Sequence, residues 1–519
     1  MAQYRAPEPM ADEGSTILVV GPVIVWLGLW AALLGWHVDD AGITYAYARS
    51  LAHGHGFRAF AGGPVAEGFS DPAWTLLLAA AAWLGAPIAA ASKVLQAVLG
   101  AAVLVDVHRA VRSVGGERAE ATAAALATAV AAPWVVWTAG GLETAWLGWC
   151  LVGFVAAVVG SRSGWIAGAF AAAVVLARPE GPWLALACLV AAEVLVPASR
   201  WRGRRVVAWG LPAAAFFGWL ALRLAVFGDT LPTSFWVKAV PIDPSVRLLR
   251  GGIYLATFAA EIGLPLLALG WGAAWATRRL GRLARGLAII VGADALAVLF
   301  MGGDWMRHGR LLAHVVPLIA MAGVPGLLAL LFRPGDVGRR LLSGYARHLA
   351  WLFVVAYASI SLLFWQDALR RPPLPMAITA DSADLLATLG PAWCGAPRPR
   401  IATPDVGAAL YRHPRAEVLD LAGLTDHTDA RQASPGWWPA RVARARPQAV
   451  LVHGVWVRRT GLDEVAMSAA GYELVCRRHG TPGVEEGRYP PALYRRADCR
   501  VPLSRGLEAR LRDWCRRPR

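Results

Sequence analysis

A mostly helical, polytopic membrane protein with a small extracytoplasmic α/β domain at its C-terminal end is what these 519 residues lead one to expect. Three observations carry that expectation. Hydrophobic residues make up 57% of the chain and its mean hydropathy is +0.46, too apolar for an ordinary soluble protein. Apolar runs of membrane-spanning length recur from residue 16 to residue 366. Beyond 366 the apolar runs shorten and alternate with charged turns.

The first run, Ser15–Trp36, is too long for the core of a cleaved signal and has no small-residue cleavage site. Ahead of it "MAQYRAPEPMADEG" sets one Arg against Glu8, Asp12 and Glu13. It reads as a retained span, 16–36. Ten more runs follow at 92–108, 120–137, 143–160, 164–177, 181–198, 206–226, 253–276, 286–302, 311–332 and 348–366, giving eleven expected crossings. The stretch 73–85, "AWTLLLAAAAWLG", is about half to two-thirds of a span. Charge decides its status. The arginine groups Arg109, Arg112 and Arg118; Arg162; Arg200, Arg202, Arg204 and Arg205; Arg278, Arg279, Arg282 and Arg285; and Arg333, Arg339, Arg340 and Arg347 share one side only if 73–85 does not cross. It therefore reads as an interfacial or re-entrant helix, opened by Ser70-Asp71-Pro72. The expected membrane domain is 1–366, with a first external loop at 37–91 and further external segments at 138–142, 178–180, 227–252 and 303–310. The N-terminus is cytoplasmic and 367–519 forms the external domain.

That last segment mixes short apolar runs ("AVLVHGVWV", "YELVCRRH", "EVLDLAGL") with helical patterns ("SADLLATLG", "PARVARAR"), hence α/β. From residue 370 it holds 24 Arg against 15 acids, about nine of the sixteen net positive charges. Such a surface suits a phosphate-rich lipid face or an anionic polymer, or serves solubility alone; nucleic acid is not expected as a partner. Lys93 and Lys238 are the only lysines, an arginine bias typical of GC-rich bacterial genomes. Cys394, Cys476, Cys499 and Cys515 allow two disulfides if this part is extracytoplasmic, while Cys150 and Cys188 sit in apolar runs.

The external segments hold the candidate chemistry. Asp39 and Asp40 follow the first span, Glu143 lies in "GGLET", Arg178 and Glu180 in "ARPEG", Asp229 and Lys238 in "FGDTLPTSFWVKAV", and Asp304, Arg307, His308 and Arg310 in "GGDWMRHGR". Charges near a bilayer are costly unless paired or functional. A set of acids and bases on one face suits group transfer from a lipid phosphate. Lys238, Arg307 and Arg310 could hold the phosphate oxygens. Asp39 or Asp40 could take a proton from an acceptor hydroxyl, or hold a divalent cation that positions the phosphate. Plainer roles stay open for each: helix capping for Asp39 or Asp40, a helix-dipole charge for Glu143, a structural ion pair for Arg178 and Glu180, and snorkelling anchors for Lys238, Arg307 and Arg310. His53, His55 and His308 read as polar surface groups, and Glu261 and Asp294 as satisfied carboxylates inside spans.

The blocks "DDAGITYAYARSLAHGHGF" and "VAEGFSDPAWTLLL" resemble the first external loop of the GT-C glycosyltransferases. "GGLETA", "ARPEG", "FGDTLPTSFWVK", "GGDWMRHGRLL" and "IATPDVGAALYRHPRAEVLDLAGLTDHTDAR" are similar to the branch containing the mycobacterial terminal β-(1→2)-arabinofuranosyltransferase. The resemblance implies a plasma-membrane enzyme using a polyprenyl-phosphate sugar donor, with arabinofuranose as the sugar and a cell-envelope polysaccharide or glycolipid as acceptor. It implies Asp39 and Asp40 as catalytic, with Glu143, Arg178, Glu180, Lys238, Asp304 and Arg310 lining the donor and acceptor cavity. One departure is Gly42, where a larger residue is common; glycine weakens a helix and would loosen Asp40. The alternatives are a polyprenyl-linked lipid or sugar transporter or flippase, for which no internal repeat is evident, and a scaffold displaying the external domain.

Overall fold

The computed structural model describes residues 13–161, 163–197, 203, 205–238, 242–277, 279–332, 346–478 and 490–516. Of the arginines expected on the inner side, Arg162, Arg200, Arg202, Arg204, Arg278, Arg333, Arg339 and Arg340 lie outside them.

The chain begins with α1 (Glu13–Ala31), α2 (Asp39–Ala52) and α3 (Pro72–Trp83). It continues through α4 (Ile88–Ser113), α5 (Arg118–Val130), α6 (Ala132–Ala139), α7 (Thr144–Val159), α8 (Gly164–Val175), α9 (Gly181–Leu195), α10 (Arg205–Phe227) and the short α11 (Thr233–Lys238). Then come α12 (Pro244–Glu261), α13 (Leu264–Ala276), α14 (Gly281–Met301), α15 (Val316–Phe332) and α16 (Ala346–Arg370). Among the described residues, α4, α10, α14 and the helix Ala313–Phe332 are long and apolar enough to cross a bilayer. Two bent pairs raise this to six: α5 with α6, bent by 58°, and α12 with α13, bent by 81°. The chain is a multi-pass membrane protein.

The eleven expected crossings are not all present as straight spans. The run 120–137 breaks at Ala131, whose backbone is extended, and Pro133, with no N–H to donate back to the preceding helix, sits in the first turn of α6. The run 253–276 breaks at Gly263, left-handed at φ 58°, ahead of Pro265. Several remaining runs are shorter helices, such as α7, α8 and α9. α3 has twelve residues, which at 1.5 Å each reach about 18 Å, short of a bilayer core. It buries Trp74 and Leu78 against its neighbours and leaves Trp83 exposed.

α16 runs through the expected domain boundary at 366/367. The C-terminal domain then opens with α17 (Met376–Cys394), which packs on strands β1 (Arg400–Thr403) and β3 (Ala449–Val452). The rest is α18 (Val406–Arg412), β2 (Glu417–Asp420), α19 (His427–Gln432), α20 (Trp437–Ala445), α21 (Val455–Thr460), α22 (Glu464–Ala469), β4 (Tyr472–Arg477), β5 (Ala492–Arg496) and α23 (Arg505–Arg516). The five strands lie in the order β2-β1-β3-β5-β4. β1 is parallel to β2 and β3, whereas β5 runs antiparallel to both β3 and β4. Disulfides join Cys394 to Cys499 and Cys476 to Cys515; Cys150 and Cys188 are free and buried.

Candidate functional site

α2 carries two adjacent acids in its first turn, and neither caps it. Val38 holds the cap position and makes no side-chain cap bond. Consecutive helical residues point about 100° apart, so the two carboxylates face different surroundings. Asp39 is buried and turns to the C-terminal domain. Its oxygens accept from the Thr379 hydroxyl (2.6 Å) and the N–H groups of Gly407 (3.0 Å) and Ala408 (2.9 Å). These two amides belong to the first turn of α18 and have no partner within the helix. At the far end of α18, the Arg49 guanidinium donates to the carbonyls of Leu410 and Tyr411, both at 2.6 Å. α2 thus places an acid at the start of α18 and a base at its end, matching the helix dipole at both.

The two helices meet backbone to backbone. A Cβ on Gly42 would lie 2.2 Å from the Gly407 carbonyl oxygen, and one on Gly407 would lie 1.7 Å from that of Asp39. The expectation that Gly42 loosens the placement of Asp40 is therefore corrected. Only a residue without a side chain permits this approach, and the approach locks α2 in place.

Asp40 faces the other way. Arg310 donates to it at 2.8 Å, approaches Asp304 at 3.5 Å and lies over the Trp137 ring at 5.8 Å. Arg178 sits 2.8 Å from Glu180 and 3.5 Å from Glu143. Arg178, Arg310, Glu143 and Glu180 are all buried. Among the described residues, the second Glu143 oxygen and Nε of Arg310 have no hydrogen-bond partner. Burial opposes charge on Arg310, but Asp304, Asp40 and Glu143 outweigh it and raise its pKa. Burial likewise opposes charge on Asp40; Arg310 and Lys238 prevail and hold its carboxyl below the ordinary value. Asp39 is the reverse case. Burial first, then Asp405, pushes its carboxyl up to about 7 against the donors that favour its ionised form.

Lys238, at the end of α11, is exposed and makes no ion pair among the described residues. Arg307 and His308 turn away from Asp40. Arg307 pairs with Asp367 of α16 at 3.0 Å, and His308 lies 3.7 Å from Glu261 and 3.8 Å from Asp367. The divergence within one loop has a backbone cause: His308 and Gly309 both adopt positive φ, at 58° and 54°. Deeper, Asp294 and His314 pair at 3.0 Å with both side chains fully buried.

Three more ties join the loop after α2 to α10, and the segment after α10 to that loop and to the C-terminal domain. Glu67 takes two hydrogen bonds from Arg223, at 2.7 and 2.8 Å. The Thr233 hydroxyl bridges the carbonyls of Glu67 and Leu424. Asp229 is held by His427 at 2.5 Å and Arg431 at 2.6 Å. A shallow pocket lined by Pro72, Val175, Arg178, Phe216, Trp219 and Arg223 opens beside the ionic cluster.

Four residues that sequence reasoning missed matter here: Asp71, Asp367, Asp405 and His453. Asp71 is buried and accepts from the hydroxyls of Thr44 and Thr75. Burial and then Glu143 push its carboxyl well up. Among the described residues no three His, Cys, Asp or Glu converge as metal ligands. The Asp39 oxygens are occupied by hydrogen-bond donors and Asp40 faces a guanidinium, so this arrangement does not fit the divalent cation expected at either acid.

No protein-family model matches the chain, and no curated protein matches it. Solved structures do. ArnT from Cupriavidus metallidurans bound to undecaprenyl phosphate matches with a TM-score of 0.56 and 15% identity over 95% of this chain and 100% of that one. Arabinofuranosyltransferase AftD from Mycobacteria matches at 0.52 and 17%, over 95% of this chain and 40% of that one. The oligosaccharyltransferase AglB from Archaeoglobus fulgidus, in complex with an inhibitory peptide and a dolichol-phosphate, matches at 0.51 and 12%, over 85% and 69%. The chain thus shares the fold of these three structures. Three proteins of different specificity match about equally, so the arabinofuranosyltransferase branch is not singled out.

Proposed function

We propose that the chain is a membrane glycosyltransferase that moves a sugar, arabinofuranose being favoured, from a polyprenyl-phosphate donor to a cell-envelope glycan. The work takes place on the extracytoplasmic side of a bacterial plasma membrane, with the N-terminus cytoplasmic. The observation that carries the reading is the ionic cluster of Asp40, Arg310, Asp304, Arg178, Glu143 and Glu180, gathered from four separate loops beside the C-terminal domain. The fold shared with ArnT, AftD and AglB supports it. Two disulfides in the C-terminal domain support the sidedness, because such bonds persist in oxidising compartments.

The cluster holds four carboxylates and two guanidiniums, so an incoming phosphate must be met by cations at its rim. Lys238 is one, a point charge without an ion pair among the described residues. Arg223 and Arg178, above an apolar wall of Phe216 and Trp219, offer the donor both a phosphate contact and a place for its prenyl chain. In the transfer the bond from the sugar C1 to the phosphate oxygen breaks, and the prenyl phosphate leaves with the electron pair. The acceptor oxygen bonds C1 and yields its proton to Asp40. As Arg310 turns to the phosphate, Asp40 loses the charge that holds its carboxyl low and becomes a stronger base. Asp39, saturated and buried, is a positioning residue here. The test is to incubate purified protein with a panel of polyprenyl-phosphate sugars and identify released prenyl phosphate and glycosylated product by mass. No release from any donor would sink the proposal. The buried Asp294–His314 pair favours a second reading, transport; sugar-lipid movement across vesicles without covalent product would establish it.

A further inference from the structure

The parallel part of the C-terminal sheet has a topological switch point. From β1 the chain passes to β2 on one side, and β3 then joins β1 on the other. In open α/β sheets the crevice beyond the carboxyl ends of the two strands at such a point is the usual ligand site. A shallow pocket lies there. Thr403 ends β1, Asp405 follows it, and His453 follows β3; Thr379 and Ser382 of α17 and Arg478 complete the polar lining.

The chemistry of the pocket is specific. His453 and Asp405 are paired at 2.8 Å. The Ser382 hydroxyl is half-buried and makes no hydrogen bond among the described residues. Arg478 stacks over Trp514 at 5.2 Å. Among the described residues, one carboxylate, one guanidinium and an imidazole leave the lining close to neutral. Mixed donors and acceptors, hydroxyls among them, with Ile378, Leu451 and Pro491 between them, suit one edge of a polyhydroxyl ligand lying across the mouth, the recess itself having room for about one water. The pocket is also wired to the cluster. Thr379 both lines it and holds Asp39, and Asp405 acts electrostatically on Asp39 and Asp40 alike.

We propose that this pocket binds a neutral saccharide unit of the acceptor, through Ser382, His453 and Asp405, and so delivers the acceptor chain to Asp40. The inference rests on the glycosyltransferase reading, and its test separates the two. Full-length protein in detergent, without donor, is titrated with neutral arabinofuranosyl, galactofuranosyl, mannosyl and glucosyl trisaccharides, with inorganic phosphate as the contrast. At least one trisaccharide is expected to bind, and Ser382→Ala and His453→Gln are each expected to weaken it by about tenfold, the loss of one good hydrogen bond. The same variants should raise the acceptor KM and leave the donor KM unaltered. Binding of none of the trisaccharides, binding unchanged in both variants, or displacement by phosphate would each overturn the pocket. Transfer with an unaltered acceptor KM overturns the pocket and spares the enzyme. Saccharide binding that these variants weaken, in a protein that releases no prenyl phosphate from any donor, spares the pocket and overturns the enzyme.

Discussion

Asp39 and Asp40 are neighbours in sequence and opposites in circumstance. Asp39 lies at a buried junction where two domains meet backbone to backbone, and every hydrogen bond its carboxylate makes reaches into the C-terminal domain. Asp40 lies at the edge of an ionic cluster, 23% exposed, and its strongest partner belongs to a membrane-domain loop. The junction is built to stay closed, while the cluster holds charges that a substrate can re-pair. The lesson is that a doubled acid need not be doubled chemistry; one member can hold the element that presents the other.

The sharpest way to break this contrast is to exchange the roles. Asp40→Asn is expected to lower sugar transfer by at least about a hundredfold, the scale of a lost general base, a loss far beyond the modest fall in melting temperature that follows when buried Arg310 loses one of its partners. Asp39→Ala leaves the Gly407 and Ala408 amides unpaired, which costs about 1–3 kcal/mol for each buried group. Its melting temperature should fall, and its activity should fall only in step with folded protein. If Asp39→Ala were inactive yet as stable as wild type, Asp39 would return to the chemistry.

Next in size is the glycine contact. Gly407→Ala pushes a Cβ against the Asp39 carbonyl and Gly42→Ala against that of Gly407, both unyielding backbone. Overpacking costs typically about 1–3 kcal/mol. Either variant should open the junction, seen as faster amide exchange in α2 and α18 with no change around α9. Unchanged exchange would mean that the helices part more easily than the geometry implies.

Comparable in size, and confined to one side of the contrast, is the effect of the disulfides. Mass mapping of unreduced protein should find Cys394 joined to Cys499 and Cys476 to Cys515, with Cys150 and Cys188 as thiols. Replacing one pair by serine should cost the C-terminal domain about 2–4 kcal/mol. Free thiols at all four positions would contradict an extracytoplasmic domain.

Much of this was legible in the sequence because charges interrupt apolar runs abruptly. Asp40, Glu143, Arg178, Glu180, Asp304 and Arg310 each stand at the end of such a run, and the structure brings them together. Cys394, Cys476, Cys499 and Cys515 were visible as a set, though spacing alone left their pairing open. What was hidden depends on contacts across long sequence separations. Nothing local marks Asp405 and His453 as a pair, since each follows a different strand. A signal for Asp405 did exist: "IATPDVGAAL" reads as strand, turn and helix, with an acid ahead of a glycine. Nor does sequence tell that two positive φ angles send Arg307 and His308 to Asp367. The span count suffered for a similar reason. An apolar run shows that a segment is buried in lipid or protein, but not whether a proline or a left-handed glycine folds it in two.

The last expected effect concerns pH at the junction. The Asp39 carboxyl titrates near 7 in the folded protein against 3.8 as its ordinary value, because burial and then Asp405 outweigh the Thr379 and Ala408 donors, with Asp40 adding to the rise. An acid that holds its proton more tightly when folded favours the folded state most at low pH. Its contribution is therefore complete below about pH 4, declines as pH rises, and is gone above about pH 7. Asp420 is also pushed up to about 7 by burial, but it is present in both wild type and Asp39→Asn, so the difference between their melting curves isolates Asp39. That difference should shrink steadily from pH 4 to pH 7 and then level off. A difference that stayed flat from pH 4 to pH 7 would mean that Asp39 is ionised throughout, held by the amides of α18 as a permanent anion.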